Sequence, residues 1–336
     1  MKLGQRIAAG WQRRGLFPFL LLPLAFLFAT AVNLRRAAYR LGWKSAVKLP
    51  VPLVVIGNIT AGGSGKTPLA LHLAQALARH GFRPGIVSRG YGGSAQGVEE
   101  VKASSDAARV GDEPLLLARR AGCPVFIGCD RVAAGRALLA AHPECNVLVA
   151  DDGLQHLRLA RDVEIVVMDE RGIGNGWPLP AGPLRECPRR IEEAHALVLN
   201  GDAKVPGSVK PARVFRMRLV GDRFRHLQDP QRTCGAGELA GRRLHAVAGI
   251  GDPARFFHQI EGMGLRAERH PFPDHHAFRA GDLAFPGADA LLMTEKDAVK
   301  CQAFAPAETW VLPVEAQFEP DIAQWVVEKL NGCQAA

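Results

Sequence analysis

At 336 residues, 48% of them apolar, the chain is long enough for two domains with hydrophobic cores, and its composition excludes a disordered protein. Its formal net charge is +9, but residues 1–98 contain no Asp or Glu and residues 1–48 carry nine Lys or Arg. Basic charge beside an apolar segment is attracted to an anionic membrane surface, and no nucleic-acid-binding motif is present. Membrane lipids, and not nucleic acid, are therefore the expected partner.

An uncharged stretch of nineteen residues, 15–33, lies between arginines near the N-terminus. Three interpretations are open: a cleaved signal peptide, a transmembrane helix, or a helix lying in the cytoplasmic leaflet of a membrane. Lys and Arg directly after the stretch disfavour export, and Pro18 and Pro23 would kink a spanning helix. We therefore expect residues 1–48 to form a basic, apolar membrane-anchoring segment, peripheral or with a single anchor. Seven cysteines without a C-x-x-C pair indicate reduced thiols and favour a cytoplasmic location for the rest of the chain.

The strongest local signal is a strand, a glycine-rich loop and a helix in direct succession. An apolar run at residues 52–56 precedes T-A-G-G-S-G-K-T, and residues 68–80 are good helix formers. This order is typical of a phosphate-binding loop, whose backbone N–H groups surround phosphate oxygens. The predicted nucleotide-binding residues are Thr60, Ala61, Gly62, Gly63, Ser64, Gly65, Lys66 and Thr67.

Individual residues of this loop have distinct chemical uses. Lys66 would reach the β- and γ-phosphates, and the hydroxyl of Thr67 would ligate Mg²⁺ at the start of the helix. The strict pattern G-x-x-x-x-G-K-[ST] has glycine at the position of Thr60, so the match departs there. A glycine-rich turn without a ligand is the alternative interpretation.

A second acidic signal follows a predicted strand at residues 146–150. That strand ends in Asp151 and Asp152, and P-loop enzymes hold Mg²⁺ through carboxylates at such a strand end. A plain turn is the alternative, but the phosphate loop earlier in the chain favours magnesium. Gln155 comes soon after the two acids and would face the same crevice.

Strands and helices alternate from residue 52 to residue 200, which predicts an α/β fold with a P-loop NTPase-like parallel sheet covered by helices. Within it, the segment G-D-E-P opens a helix that runs to residue 120. Asp112 of this segment is expected to be the N-cap of the helix, because Asp is a common capping residue. The core domain is predicted to cover residues 49–212.

The remainder of the chain predicts a hairpin linker at residues 213–230 and a smaller α/β domain at residues 231–336. Between its elements lies F-P-D-H-H. A zinc site from Asp274, His275 and His276 is one hypothesis, although adjacent histidines cannot easily share one tetrahedral ion. A solvated polar loop is the second, and a histidine acting as acid or base across the interdomain cleft is the third.

Taken in order, seven segments resemble the tetraacyldisaccharide 4'-kinase family. They are T-A-G-G-S-G-K-T, S-R-G-Y-G-G, G-D-E-P, V-A-D-D-G-L-Q-H, L-P-A-G-P-L-R-E, F-P-D-H-H and T-E-K-D. The resemblance covers almost the whole chain, and the combination of segments is highly specific.

The resemblance implies an ATP- and Mg²⁺-dependent P-loop kinase on the cytoplasmic face of the Gram-negative inner membrane. The implied substrate is tetraacyldisaccharide 1-phosphate, a lipid A precursor, and phosphorylation of its 4'-hydroxyl would give lipid IVA. Carried over by motif, the implied catalytic pair is Asp112 and His275. The implied magnesium-binding residues are Thr67, Asp151, Asp152 and Gln155.

Three other functions remain open from the sequence: a membrane-tethered P-loop NTPase, a kinase for another sugar acceptor, and a non-enzymatic lipid-binding protein with a structural nucleotide. The guanine-binding pattern Asn-Lys-x-Asp is absent, because T-E-K-D has the wrong spacing. A kinase for a soluble sugar would not require the apolar stretch at residues 15–33. No feature of the sequence indicates an obligate protein partner.

Overall fold

The computed structural model describes residues 10–334 and contains two β-sheets with helices packed against them. The helices are α1 Leu16–Leu20, α2 Leu22–Arg40, α3 Lys66–Arg79, α4 Ala107–Val110, α5 Asp112–Arg120, α6 Arg131–Ala141, α7 Ala236–Leu239, α8 Pro253–Gly262, α9 Glu295–Cys301 and α10 Ile322–Gln334. The strands are β1 Leu53–Gly57, β2 Pro84–Ser88, β3 Glu99–Glu100, β4 Val125–Ile127, β5 Val147–Ala150, β6 Val163–Met168, β7 Ala196–Asn200, β8 Val214–Val220, β9 Arg223–His226, β10 Thr233–Gly235, β11 Leu244–Ala248, β12 Ala267–Pro271, β13 Ala290–Thr294, β14 Thr309–Leu312 and β15 Glu315–Glu319.

The larger sheet has nine strands in the order β15-β8-β7-β6-β1-β5-β2-β4-β3. Its strands from β8 to β4 are parallel, and antiparallel strands close both edges. Alternate residues of β1 enter different cores: Val54 and Ile56 pack with the apolar side of α3, and Leu53 and Val55 pack with that of α6. Burial on both faces explains why the central strands β1 and β5 are continuous apolar runs. The predicted parallel α/β sheet is confirmed.

The smaller sheet has six strands in the order β10-β9-β14-β13-β11-β12. Its strands β14, β13, β11 and β12 are parallel, while β9 and β10 pair antiparallel at the other side. Helix α8 covers one face with Phe256, Phe257 and Ile260. Phe278 and Leu283 contribute to the core on the other face. This sheet is the predicted smaller α/β unit.

The segment 213–230 does not form the predicted hairpin. Strand β8 pairs with β7 and β15 in the larger sheet, whereas β9 pairs with β10 and β14 in the smaller one. The end of the chain also returns to the larger sheet, where β15 pairs with β8 and Trp325 of α10 packs on Phe215. The chain therefore passes between the sheets twice, and the domain limits at 48, 212 and 230 stay predictions.

The apolar N-terminal stretch folds as two helices, α1 and α2, and α2 continues through Arg35 and Arg36 to Arg40. Within residues 10–334, no helix has both the length and the apolarity that crossing a bilayer requires. Leu21 separates the two helices, so residues 15–33 are divided between them.

Candidate active site

The phosphate loop joins β1 to α3 and has the backbone that its glycines permit. Gly62 and Gly65 have φ values of +102° and +96°, a region that residues with a Cβ rarely adopt. A Cβ on Gly65 would also lie 2.4 Å from the side-chain nitrogen of Asn200. Asn200 instead donates a hydrogen bond of 3.0 Å to the carbonyl of Ser64. The loop is therefore held from β7 as well as by its own sequence.

Thr60 explains how the loop tolerates its departure from the strict pattern. It is not among the residues with positive φ, so glycine is not required at this position. Its backbone forms a β-bridge with Leu184, and the N–H of Ala61 donates to the carbonyl of Pro183 at 2.8 Å. The segment L-P-A-G-P-L-R-E thus supports the start of the loop.

Lys66 is buried at the start of α3, and its ammonium faces oxygen atoms from two other segments. Its Nζ donates to Asn58 Oδ1 at 3.4 Å and lies 3.5 Å from Asp152 Oδ1. Asn58 also donates to the carbonyl of Gly62 at 3.2 Å. The loop cation is therefore positioned beside the acid pair at the end of β5.

The oxygen atoms of Thr67 and Asp151 form a set suited to a hard divalent cation. The Thr67 hydroxyl donates to Asp151 Oδ2 at 3.3 Å, and Asp151 Oδ1 is buried without a hydrogen-bond partner among residues 10–334. Burial, and then the nearby charge of Glu113, raise the pKa of Asp151 to about 7. An unpartnered buried carboxylate oxygen beside a hydroxyl fits Mg²⁺, which prefers oxygen ligands.

Asp152 and Gln155 have different surroundings from Asp151. Burial acts to raise the pKa of Asp152, but Lys66 and Arg185 together lower it below its ordinary value. The amide of Gln155 donates to the carbonyl of Asn58 and to Glu186 Oε1, both at 2.9 Å. Gln155 therefore supports the segment before the loop through these contacts, and its place among the magnesium ligands stays a prediction.

Asp112 and His275 lie in contact although 163 positions separate them in the chain. The Nδ1 atom of His275 is 3.0 Å from Oδ1 and 3.1 Å from Oδ2 of Asp112.

Gly111, and not Asp112, occupies the N-cap position of α5, so the capping prediction for Asp112 is wrong. His275 has a φ of +58°, and the ring of Tyr91 packs edge-on against its imidazole with 5.1 Å between the ring centres.

Two lysines of α9 surround this pair. Lys296 Nζ donates to Glu113 Oε1 at 2.8 Å and to Asp274 Oδ1 at 3.1 Å, and it lies 3.5 Å from His275 Nε2. Lys300 Nζ lies 3.6 Å from Asp112 Oδ2. Lys296 belongs to the T-E-K-D segment, but the sequence gave no indication that this lysine would lie beside Asp112 and His275.

The electrostatics of the pair favour its charged form. Burial acts to raise the pKa of Asp112, but the hydrogen bond from His275 and the charge of Lys296 lower it below its ordinary value. Burial acts to lower the pKa of His275, and the hydrogen bond to Asp112 outweighs this and raises it. Burial likewise opposes the charge of Lys296, whose pKa is nevertheless raised by Glu113, Asp112 and Asp274.

His276, the second histidine of the zinc hypothesis, contacts a different set of residues. His276 Nε2 lies 3.1 Å from Asp282 Oδ2 and packs against Phe272 and Phe278. In the part of the chain that the structure describes, residues 274–276 form no three-ligand cluster. The zinc hypothesis for this loop is therefore not supported.

A cavity of about 190 Å³ connects the phosphate loop to the smaller sheet. Residues 63–67 of the loop form one side of it. The opposite side is a mixture of apolar and charged groups: Ile250, Asp252, Phe256, Leu312, Lys296 and Glu113. Because Glu113 and Lys296 also adjoin the Asp112–His275 pair, the loop and the pair share one crevice between the sheets.

Several residues of this site were given no role from the sequence, some because they lie outside the quoted motifs and others although they lie within them. Asn58 and Asn200 support the loop, Glu113 and Lys296 connect the cavity to the pair, and Arg185 lies 3.4 Å from Asp152. Asn58 could have been suspected because it lies two residues before the loop. Asn200 carried no comparable signal, because an Asn at a strand end usually begins a turn.

Comparison with known proteins places these features in one family. The family model described as tetraacyldisaccharide-1-P 4'-kinase matches residues 17–331. A tetraacyldisaccharide 4'-kinase of Azoarcus sp. (strain BH72) is 54% identical over 324 residues, which cover 96% of this chain and 94% of that protein. The enzyme of the same name from Dechloromonas aromatica (strain RCB) is 53% identical over 321 residues, covering 95% of this chain and 94% of the relative.

A solved structure is also similar. It is the crystal structure of LpxK from Aquifex aeolicus in complex with ATP, which aligns with a TM-score of 0.80 and 28% sequence identity. The alignment covers 94% of this chain and 100% of that one.

Proposed function

The chain belongs to the tetraacyldisaccharide 4'-kinase family, and we propose that it transfers the γ-phosphoryl group of ATP to the 4'-hydroxyl of tetraacyldisaccharide 1-phosphate, giving lipid IVA. One observation carries the proposal above the others. The cavity beside the phosphate loop is lined by Glu113 and Lys296, which adjoin the Asp112–His275 pair. A nucleotide phosphate in the loop and an acceptor hydroxyl at the pair would then face the same crevice.

In the proposed reaction, backbone N–H groups of residues 62–67 and the ammonium of Lys66 hold the β- and γ-phosphates and offset charge as it develops. Thr67, Asp151 and Asp152 would hold Mg²⁺, which would supply further charge neutralisation at the phosphates. The bond between the acceptor oxygen and the γ-phosphorus forms while the bond from that phosphorus to the β–γ bridging oxygen breaks, and ADP leaves.

Asp112 is proposed to accept the proton of the 4'-hydroxyl as the new bond forms. A sugar hydroxyl is a poor nucleophile, so a carboxylate within hydrogen-bond reach assists its attack. His275, bonded to Asp112 through Nδ1, orients the carboxylate and supplies a positive charge beside it. Lys296 and Lys300 add positive charge at the same place.

Helices α1 and α2 are proposed to lie in the interface of the inner membrane, with the active site on the cytoplasmic face where ATP is present. They expose large apolar side chains that we call the N-terminal apolar patch: Leu16, Phe17, Phe19, Leu20, Leu24, Phe26, Leu27 and Leu34. The basic residues nearby would attract anionic lipids. Arg36 connects the patch to the catalytic core, because it bonds Glu186 at 2.9 Å and also pairs with Glu193.

The activity is tested with radiolabelled ATP and tetraacyldisaccharide 1-phosphate in detergent, beside the deacylated disaccharide 1-phosphate. We expect label in the acylated acceptor and far less in the deacylated one. Equal labelling of both would favour a kinase for another sugar acceptor, and ATP hydrolysis without a labelled lipid would favour a membrane-tethered NTPase.

The membrane proposal is tested by flotation with anionic vesicles. Phe19 and Leu20 are 59% and 67% exposed, so replacing both with Ser removes apolar area without disturbing the core. Burial of each side chain is worth about 1.5–3 kcal/mol, so the two together contribute at least about 3 kcal/mol and vesicle binding should weaken by about 100-fold or more. Val220→Ser is the matched control, because Val220 is 40% exposed in β8 of the catalytic core. An unchanged affinity of the double variant would refute the assignment.

A further inference from the structure

A cluster of two imidazoles and a carboxylate lies on the outer strands of the smaller sheet, away from the residues assigned to phosphoryl transfer. His245 belongs to β11, and Glu268 and His270 belong to β12. In the parallel register His245 is paired with Glu268, and His270 is two residues further along β12. Side chains two residues apart on a strand share a face, so all three meet on one side of the sheet.

The ligand atoms of this cluster converge on one point. His245 Nδ1 and His270 Nε2 are 2.9 Å apart. One oxygen of Glu268 lies 3.7 Å from His245 Nδ1, and the other lies 3.8 Å from His270 Nε2. Tetrahedral Zn²⁺ with ligand bonds of about 2.0–2.1 Å places neighbouring ligand atoms roughly 3.4 Å apart. The three separations lie on both sides of that value, so small side-chain rotations would satisfy it.

The geometry points to a binding site for a first-row divalent transition metal, best matched by Zn²⁺, formed by His245, Glu268 and His270. Two imidazoles and one carboxylate are a known zinc donor set that leaves the fourth position to water. The same donors suit Mg²⁺ poorly, because that ion prefers an octahedral oxygen shell. The site is thus chemically distinct from the magnesium site proposed at Thr67 and Asp151.

Packing around the cluster holds the rings and leaves an entrance for an ion. Phe285 stacks on both imidazoles, with ring centres 4.7 Å from His245 and 4.0 Å from His270. The side chain of Glu268 is 69% exposed, while those of His245 and His270 are 15% and 20% exposed. The histidines are therefore held in an apolar wall, and the carboxylate can close over an ion arriving from solvent.

A bound ion would join β11 to β12 just before the segment that carries His275. Strand β12 ends at Pro271, and His275 follows four residues later. Metal binding should therefore stabilise the edge strand from which the active-site loop continues, in addition to the backbone bonds between β11 and β12.

The test uses the untagged full-length chain, stripped with chelator and then titrated with ZnCl₂ against a chromophoric zinc indicator in excess Mg²⁺. We expect one high-affinity zinc per chain and a higher unfolding temperature on loading. Glu268→Gln and His270→Ala should each weaken this binding at least about 100-fold, because even outer partners of metal ligands are worth about 10–100-fold.

Matched controls separate ligand loss from general effects. Glu328→Gln in α10 and His80→Ala just after α3 change the same residue types at exposed positions and should bind zinc like the wild type. Glu268→Gln alters an exposed side chain, so its metal-free unfolding temperature should equal that of the wild type. As a second readout, Co²⁺ should give the visible absorption bands of a four-coordinate site in the wild type and in both controls, but not in Glu268→Gln or His270→Ala.

Three outcomes would overturn the proposal. The first is the absence of stoichiometric zinc binding by the wild type. The second is equal zinc affinity in the wild type, Glu268→Gln and His270→Ala, which would mean that the two histidines only hydrogen-bond each other. The third is zinc binding that disappears when the exposed Cys129 and Cys187 are replaced with Ser. None of these outcomes depends on the kinase assay.

Discussion

Replacing Asp112 with Asn separates a catalytic carboxylate from a structural one. The change preserves side-chain size but removes the negative charge that lies 3.0 Å from His275 Nδ1 and 3.6 Å from Lys300 Nζ. An amide cannot accept the proton of an alcohol, and general base catalysis contributes about 10²–10⁴-fold. We expect kcat to fall by that factor, equivalent to about 3–5 kcal/mol of transition-state stabilisation. The affinity for ATP should stay close to the wild-type value, because Glu113, and not Asp112, lines the nucleotide cavity.

The assay combines radiolabelled phosphoryl transfer for kcat with calorimetry for the dissociation constant of ATP. Asp106→Asn is the matched control, since Asp106 is an exposed N-cap that accepts a hydrogen bond from the backbone of Ala108 at 2.9 Å. Asn caps helices as well as Asp does, so this control should change neither quantity. If Asp112→Asn lost turnover and ATP affinity to the same extent, Asp112 would be structural and the proposed base would be wrong.

The pH dependence of stability and the backbone of the phosphate loop provide two more predictions. The raised pKa of His275 means that its stabilising contribution is complete below pH 6.5 and is lost as pH rises through the raised value. The contribution of Asp112, whose pKa is lowered, is present above pH 3.8 and is lost as pH falls through the lowered value. The unfolding temperatures of the wild type and His275→Asn should thus differ most between these limits, and a difference independent of pH would contradict the ion pair. Gly81→Ala, at φ +85° with open space around it, should cost about 1–2 kcal/mol in a urea titration. Gly65→Ala should cost more and also weaken ATP binding, because its Cβ would meet Asn200 at 2.4 Å; equal costs would show that the clash is relieved.

Elements with strong local patterns were predicted well. The buried strands β1 and β5 are uninterrupted apolar runs, β6 is apolar except for Glu164, and a helix begins directly after the glycine-rich loop. The sequence did not reveal β12 or β15. Strand β12 reads A-E-R-H-P and is mostly exposed at a sheet edge, so it lacks an apolar run. Strand β15 reads E-A-Q-F-E, and only its pairing with β8 defines it as a strand.

The hairpin expected at residues 213–230 illustrates a different limitation. Two strand-like segments flank Gly221 and Asp222, a pattern that usually predicts antiparallel neighbours. Here the first segment completes a parallel pair with β7 and the second joins β14 in the other sheet. The residues of a turn do not determine which strands its two flanking segments will pair with. That pairing depends on which edge of each sheet is still unpaired in the folded protein.

The phosphate loop could be recognised from contiguous residues because its function depends on successive backbone N–H groups followed by a helix, all encoded within eight positions. The pair of Asp112 and His275 is different in kind. The family resemblance implied both residues, but their contact at 3.0 Å exists only because α5 of the larger sheet and the segment after β12 of the smaller sheet pack against each other. Lys296 arrives at the same point from a third segment. Hydrogen bonds and charge interactions act over a few ångströms, so groups separated by more than a hundred residues acquire their chemistry only when the two sheets are assembled.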